Sequence, residues 1–578
     1  MRRLPKTMQT KRNRRDSCGS AECAKPGKRG IEMSKTIKKI IAAVIVLAAL
    51  GIYYYVTIPA VNIHSAGFWQ CLLFFIAAVT VCYVLAKTGH SLREKGGKPD
   101  LKEAFGSLKL AKAGIALFLL VLAVYLAGSI LSSPIVNASK YQKLLTVEYS
   151  DFSKDIKEVS YRTIPLLDKN SAELLGNRKM GSMVDMVSQF EVSSEYTQIN
   201  YQDTPVRVAP LVYASPIKWL TNQGEGIPAY IRIDMATQNT ECVKLSEGIK
   251  YSESELLNRN IYRHLRFRYP TYIFDDQIFF EIDDEGTPFW VCPVKKFNIG
   301  LFGGQTIGEV VLCNAITGEC REYDVEDVPN WIDKVYSAEL LTRLYNYNGT
   351  LKHGYFNSIL GQKDCLQTTN GYNYIALDDD VWVYTGVTSV SGDQSNVGFV
   401  LMNQRTMETK FYTVEGAIED SAMSSAEGQV QNLGYRASFP LLLNISGEPT
   451  YFMALKDGAG LVKKYAMVNV QKYQWVAIGD TVQECEKAYV KLLATNGITK
   501  SGASGIYEQA KGKIASIAPV VVEGNTHYYV SLVQSEEIFD VNVADMTLVD
   551  IVKYTVGDTV SFEYEVSESG LCSVVSLK

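Results

Sequence analysis

Histidine is scarce in this chain: His64, His90, His264, His353 and His527 are the only five in 578 residues. No two stand at a metal-ligand spacing and no H-E-x-x-H occurs, so the sequence predicts no zinc site and no cofactor. There is no G-x-S-x-G elbow and no Walker loop, which removes the common signatures of serine hydrolases and nucleotide-binding enzymes. The pair Gly303-Gly304 lacks the Lys-Ser/Thr that phosphate binding requires and reads as a hairpin turn. The x-D-x-D-x-D-G spacing of a calcium loop is also missing. The acidic runs Asp275-Asp276, Asp283-Asp284-Glu285 and Asp378-Asp379-Asp380 therefore read as solvated turn residues. Seven cysteines follow residue 135, namely Cys242, Cys292, Cys313, Cys320, Cys365, Cys485 and Cys572. The number is odd and the spacings form no compact framework. Buried free thiols are the plainer reading, although Cys313 and Cys320 flank one turn and could face each other in a disulfide. A catalytic Cys–His pair needs geometry that a sequence does not carry.

Charge of either sign is missing from three stretches of 19 residues: Ile40–Ile58, Phe68–Ala86 and Ala113–Leu131. Each approaches the roughly 20 residues needed to cross a hydrocarbon core. Tyr53, Tyr54, Tyr55 and Trp69 sit at segment ends, where amphipathic rings suit the lipid–water interface. A signal peptide would have a shorter apolar run and a small-residue cleavage site. The sequence thus predicts a three-helix transmembrane region over 40–135, with the lipid bilayer as its first partner.

The remaining charge is sorted by region. Residues 1–39 carry 13 Lys/Arg against 3 Asp/Glu, and the loop 87–112 carries 7 against 3. The loop Pro59–Gly67 has none, and everything after 135 carries a net charge of −18. Short basic loops stay cytoplasmic, so 1–39 reads as a basic cytoplasmic segment and the residues after about 135 as extracytoplasmic. An acidic exterior domain is a poor match for phosphate backbones, which excludes nucleic acid as a partner. Residues 1–32 read as a basic extension, and Met33 is a second possible start.

Beyond the apolar region, after a juxtamembrane connector over 136–189, the chain shows internal similarity. VVLCNAITGECREY and FVLMNQRTMETKFY share one frame: an apolar strand into Asn314 or Asn403, then Thr317 or Thr406, then Tyr323 or Tyr412. YIRIDMATQNTECV fits more loosely at Asp234, and YAMVNVQKYQWVAI keeps the strand and Asn469 without the Thr. Asn and Asp turn the chain by bonding their own backbone, and the flanking alternation predicts paired strands. Each hairpin is preceded by another, turning near Asp203, Gly286, Asp379 and Gly447. Helical stretches such as TVQECEKAYVKLLA follow. The expected unit is strand–turn–strand, strand–Asn turn–strand, helix, about four times over 190–498.

The V-x-x-N-x-x-T-G-E segment from Val311 to Glu319 resembles the strand-turn of PepSY-type domains, small extracellular α/β modules. That resemblance implies binding or modulation at the cell envelope, without catalysis. Only the copy with Asn314, Thr317 and Gly318 carries the full pattern; the others lack the glycine. After a linker at Thr499–Gly505, residues 506–578 give about five short strands, resembling an OB or SH3-like barrel.

The predicted class is α+β: three N-terminal transmembrane helices, tandem antiparallel hairpin/helix repeats, and a small C-terminal β-barrel. The expected function is a non-enzymatic binding or scaffolding protein anchored in a bacterial plasma membrane. Its partner would be an envelope protein, a peptide or a cell-wall polymer. The strand aromatics Trp290, Trp382, Tyr384, Tyr451 and Trp475 are candidates for a binding face, although such rings are more often half-buried in sheets. The alternative is an envelope polymer hydrolase or transferase using carboxylates such as Asp379 or Asp283 as acid and base. A transporter is disfavoured, because no charge lies within the apolar spans.

Overall fold

The computed structural model describes residues 35–95, 109–157, 167–202, 204–377, 379–389, 395–498, 508–522, 525–535, 537–543, 548–566 and 571–577. The extension 1–32, residues 96–108 of the basic loop 87–112, and the linker Thr499–Gly505 lie outside the described residues. The chain forms two compact units. One comprises residues 1–59 and 67–122, the other 60–66 and 123–578.

In the first unit the apolar stretches form helices: α1 (Lys35–Thr57), α2 (Ala66–Lys95) and α3 (Lys109–Leu131). Two are long and apolar enough to cross a membrane, over Ala66–Leu85 and Lys109–Leu131. Among the described residues α1 contributes the shorter apolar helix Ala43–Thr57; the charge-free stretch begins three residues earlier in the same helix, at Ile40. Helices α2 and α3 approach closely where Gly114 meets Thr80: a Cβ on Gly114 would fall 2.3 Å from the Thr80 hydroxyl oxygen. Small residues at such crossings let helix backbones pack tightly in lipid.

The second unit is α+β. Among the described residues it holds four larger sheets, antiparallel except for one parallel edge pair in the third, a two-stranded ladder of Ser395–Asn396 with Gly416–Ala417, and a barrel. Thr197–Tyr201, Thr204–Tyr213, Ile227–Asp234 and Thr240–Ile249 follow one another in the first sheet, and Phe190–Val192 also pairs with Thr204–Tyr213. Phe279–Ile282, Pro288–Ile299, Gly303–Asn314 and Cys320–Asp324 form the second. The third is built from Asn373–Leu377, Asp380–Ser389, Gly398–Asn403 and Thr409–Tyr412. Leu441–Ile445, Glu448–Lys456, Val462–Asn469 and Val476–Gly479 form the fourth. A helix precedes each sheet: Lys169–Gly181, Ile261–Arg268, Ala338–Thr350 and Glu419–Gln429. Val482–Thr495 follows the last, its start closed by a Thr481/Glu484 capping box.

Successive sheets share cores. Tyr230 of the first sheet packs with Phe280, Trp290 and Val311 of the second. The opposite face of the second sheet, Val291 and Leu312, packs with Val383 and Val400 of the third and with Leu344 of the intervening helix. Trp382, Tyr384 and Phe399 on the other face of the third sheet meet Tyr451, Phe452 and Met467 of the fourth. The middle sheets are covered twice, so their strands lose the in–out alternation of a half-exposed sheet. Nine of the ten residues of Asp380–Ser389 are buried.

The stretch 136–189 is woven into this unit. Glu148–Ser150 adds a parallel strand to Thr409–Tyr412, and Tyr141 donates to the Ser132 carbonyl at 2.7 Å. Ser132, just past α3, accepts from the Leu301 amide at 2.8 Å. The segment between α1 and α2 is held by the same unit. Val61 N donates to Pro270 O at 2.7 Å, Asn62 Nδ2 donates to Thr271 O at 2.9 Å, and His64 Nδ1 lies 2.8 Å from Leu301 O.

Residues from 508 onward close a five-stranded barrel in the order first, second, third, fifth, fourth. Its third and fifth strands, Ile538–Asn542 and Leu571–Leu577, run parallel. Phe539, Val541 and Phe562 fill it.

The Asn and Asp turns share one hydrogen-bond scheme. The side-chain oxygen of Asn314 accepts from the amides of Ile316 and Thr317, both at 2.9 Å. Asn403 does the same with Arg405 and Thr406, and Asp234 with Ala236 and Thr237. The Thr hydroxyl then accepts an amide two residues on, 3.2 Å in the case of Thr317. At Asn469 the loop is one residue longer, closing to Trp475, and its side chain accepts from Lys472. In the first three turns the fourth residue after Asn or Asp is left-handed: Gly318 at φ 74°, Gln238 at 61° and Met407 at 66°. The missing glycines therefore mark strain, not a different turn. A Cβ on Gly318 would also fall 2.4 Å from the Tyr251 ring. Gly318→Ala should lower unfolding free energy by about 2 kcal/mol, whereas Gln238→Ala should change it by less than about 0.5 kcal/mol. Chemical denaturation of the detergent-solubilised chain checks both.

Candidate functional site

Where the first three sheets converge, their packing leaves a cavity of about 570 Å³. The first sheet contributes Thr197, Arg207 and Pro210, the second Phe279, Phe280 and Trp290, and the third Asn373 and Tyr374. Lys334, just before the helix Ala338–Thr350, and Phe439, near the fourth sheet, complete the wall. A broader groove of about 700 Å³ runs past Phe190, Asn222 and Gly226, but its charged residues, such as Asp185 and Glu247, are exposed to water.

The cavity differs in holding buried cations. Arg207 is 4% exposed and Lys334 5%. Arg207 lies on a strand between Val206 and Val208, at a position that would face water if the sheet were half-exposed. Its Nε donates to Leu167 O at 3.2 Å and its Nη2 to Gln198 Oε1 at 3.3 Å. Lys334 is fixed by its backbone, because residues 333–336 are clamped between sheets. The Val335 and Tyr336 amides donate to Gln404 O at 3.0 and 2.7 Å. The Asp333 and Lys334 amides each donate to a different oxygen of Glu281, both at 3.0 Å. The Lys334 ammonium lies 4.4 Å from the Tyr374 ring centre and 5.5 Å from that of Phe279. Among the described residues it has no hydrogen-bond or ion-pair partner. The Tyr196 hydroxyl on the cavity wall and the Gln198 amide nitrogen also lack one.

Electrostatics follow from burial. Desolvation, and then the neighbouring Arg207, pushes Lys334 down to about 8. Burial pushes Glu281 up to about 7, against the two amides and Lys334 that favour its anion. Asp333 is raised as well, by burial and by Glu281. These two carboxyls lie beneath the cavity and do not line it. The carboxylates that do line it are engaged elsewhere: Asp168 with Lys456, Glu195 with Lys169, Asp276 with Lys295, Glu253 with the Tyr262 hydroxyl and Glu339 with that of Tyr372. Glu281, Asp333 and Glu339 favour the Lys334 cation from a distance, and the arrangement suits uptake of an anionic group that would pair with it directly, beside aromatic surface for an attached apolar part.

The residues singled out from sequence are dispersed. Asp234, Asn314, Asn403 and Asn469 shape turns, as described above. Of the five candidate aromatics only Trp290 lines the cavity, and its Nε1 donates to Tyr251 O at 2.8 Å. Trp382, Tyr384 and Tyr451 are buried within the third shared core, and Trp475 packs half-buried at its edge. They do not form one exposed face, because a neighbouring sheet covers each strand. Asp379 accepts from Asn200 Nδ2 at 2.7 Å, and Asp283 accepts from the Thr287 amide at 2.7 Å. Asp380 pairs with Arg405, and Asp275 and Asp276 both pair with Lys295. Asp378 lies outside the described residues. Arg207, Lys334 and Glu281 went unmarked in the sequence. The one available signal was a lone charge inside an apolar strand, as in Val206-Arg207-Val208.

Cys313 and Cys320 do face each other, directly opposite in register. Both are free thiols.

A raised carboxyl adds stability below its unfolded pKa and loses it as pH climbs through the folded value. The Glu281 contribution should therefore be full below about 4.5 and decline toward about 7. Glu281→Gln should remove this part of the pH dependence, and should cost about 2 kcal/mol because one of the two amides then faces an NH₂ group. Urea unfolding of both forms across that pH range measures it.

The chain matches no protein-family model, and a search of curated proteins finds no match.

Proposed function

We propose that this is a membrane-anchored extracytoplasmic binding protein of a bacterial envelope, whose β domain takes up an anionic segment of a peptide or wall polymer in the cavity beside Lys334 and Arg207. The observation that carries this reading is a buried ammonium that lines a 570 Å³ cavity, faces two aromatic rings and, among the described residues, has no hydrogen-bonded or ion-paired carboxylate, Glu281, Asp333 and Glu339 acting on it only through space. An unpaired buried cation costs folding free energy. A site built around one is suited to a ligand that supplies the missing charge.

The anchor reading rests on the apolar helices and on the placement of basic residues. It is supported by the hydrogen bonds from Val61 and Asn62, between α1 and α2, to residues 270 and 271 of the β domain. That loop and the domain then lie on the same side of the bilayer. With the basic N-terminus in the cytoplasm, that side is outside, which requires α1 (Lys35–Thr57) to span. We read the four sheets as tandem units of a PepSY-like kind and the final barrel as OB-like. The reading is without catalysis, since every carboxylate on the cavity wall is committed to a partner.

Two measurements test it. Protease added to intact cells should remove the part after residue 135; protection of a C-terminal epitope in intact cells, with cleavage only after lysis, would sink the orientation. Full-length protein in detergent should bind anionic wall polymer or carboxylate-bearing peptides with a salt-dependent affinity. Lys334→Met should weaken that binding at least about tenfold while leaving the fold intact. Equal binding by the wild type and the variant rules out the cavity as the site.

A further inference from the structure

The cavity does not use a second cluster, on the two strands of the second sheet beyond the cavity-lining Trp290, whose register partner is Cys313. Cys313 is the last residue but one of the strand Gly303–Asn314 and Cys320 begins the strand Cys320–Asp324. They stand opposite each other, next to the pair in which Asn314 N donates to Glu319 O at 2.9 Å. Alternation along an antiparallel ladder makes 313/320 a non-hydrogen-bonded pair, the kind whose side chains come closest. A third group arrives from the helix Ile261–Arg268: His264 Nε2 lies 3.6 Å from Cys320 Sγ and 2.8 Å from Gly318 O. The two sulfurs and the imidazole nitrogen all lie within 4.8 Å of one another.

We propose that Cys313, Cys320 and His264 form a binding site for one divalent cation of the zinc class. Zinc–sulfur bonds of about 2.3 Å and zinc–nitrogen bonds of about 2.0 Å set tetrahedral donors about 3.5–3.8 Å apart, and the Cys320–His264 separation already has that value. Two thiolates and an imidazole select zinc or a similar borderline ion over magnesium and calcium, which require oxygen. The site is shielded: Cys313 is fully buried, Cys320 is 7% exposed, and the Tyr251 ring packs on His264 at 4.4 Å between centroids. The Gly318 carbonyl, also 3.5 Å from Cys320 Sγ, stands beside the same centre and can complete the tetrahedron. On binding, Nε2 exchanges its hydrogen bond to Gly318 for the metal. The ion takes its ligands deprotonated, so protons leave to solvent. A disulfide between the same cysteines would make no use of the histidine.

The consequence is mechanical. The ion would clamp the helix Ile261–Arg268 to the Asn314 turn, which the His264 hydrogen bond to Gly318 and packing now join. This inference is independent of the ligand proposed for the cavity.

The full-length protein, purified in detergent with a reductant and without chelator, should carry close to one zinc per chain by elemental analysis. After chelation, added Co²⁺ should give the thiolate-to-metal absorption of a sulfur-bound tetrahedral ion. Cys320→Ser and His264→Ala should each weaken metal affinity by at least about 100-fold, while Cys485→Ser should retain it. The cobalt spectrum of the wild type needs no variant to fold. The proposal is overturned by reduced protein that gives no thiolate–cobalt band, or by intact-mass and peptide mapping that show a Cys313–Cys320 disulfide persisting in the presence of zinc.

Discussion

A β-sheet with apolar side chains on both faces must be covered twice, and the second and third sheets meet that requirement only by sharing each face with a neighbour. Val291 and Trp290 are adjacent in the chain yet belong to different cores, one facing the third sheet and the other the first. The same holds for Val383 and Trp382. Each large side chain buried this way contributes on the order of 1.5–3 kcal/mol. The sheets therefore fold as a mutually dependent series, with the helices filling the gaps between them.

That dependence also explains the cavity. The first three sheets leave a gap where they meet, and its lining includes the buried cations Arg207 and Lys334. Glu281 and Asp333 are buried one layer deeper, where they hold the backbone of 333–334 in place through Glu281. The segment is thus anchored by carboxyls that burial inclines toward protonation, while its neighbour Lys334 meets the open space. Such a layout separates the buried acids from the cation that lines the cavity. It keeps an ammonium in a place where water alone would solvate it poorly, which is a condition for selective anion capture.

The turns were the most legible part. Asn314 and Asn403 with their threonines announced their hydrogen bonds, because an Asx turn needs only its own few residues. The apolar helices were legible for the same reason, two of them long and apolar enough to cross a membrane among the described residues. The five strands of the C-terminal barrel could also be counted from alternation and turn residues. Less legible was the face each strand presents: Trp382 and Tyr384 alternate with Val383 as if one side met solvent, yet both sides are buried. The stretch 136–189, which has little pattern, adds a parallel strand to a partner more than 250 residues away.

The sequence by itself determined which segments are apolar helices, where the chain reverses, and that the charge after residue 135 is acidic, since these depend on local composition and short-range hydrogen bonding. Only the tertiary structure decided that Arg207 and Lys334 share a cavity, that His264 reaches Cys313 and Cys320, and that the candidate aromatics are core residues. Those juxtapositions join positions separated by tens to hundreds of residues. They are set by how sheets stack on one another, which no local pattern encodes.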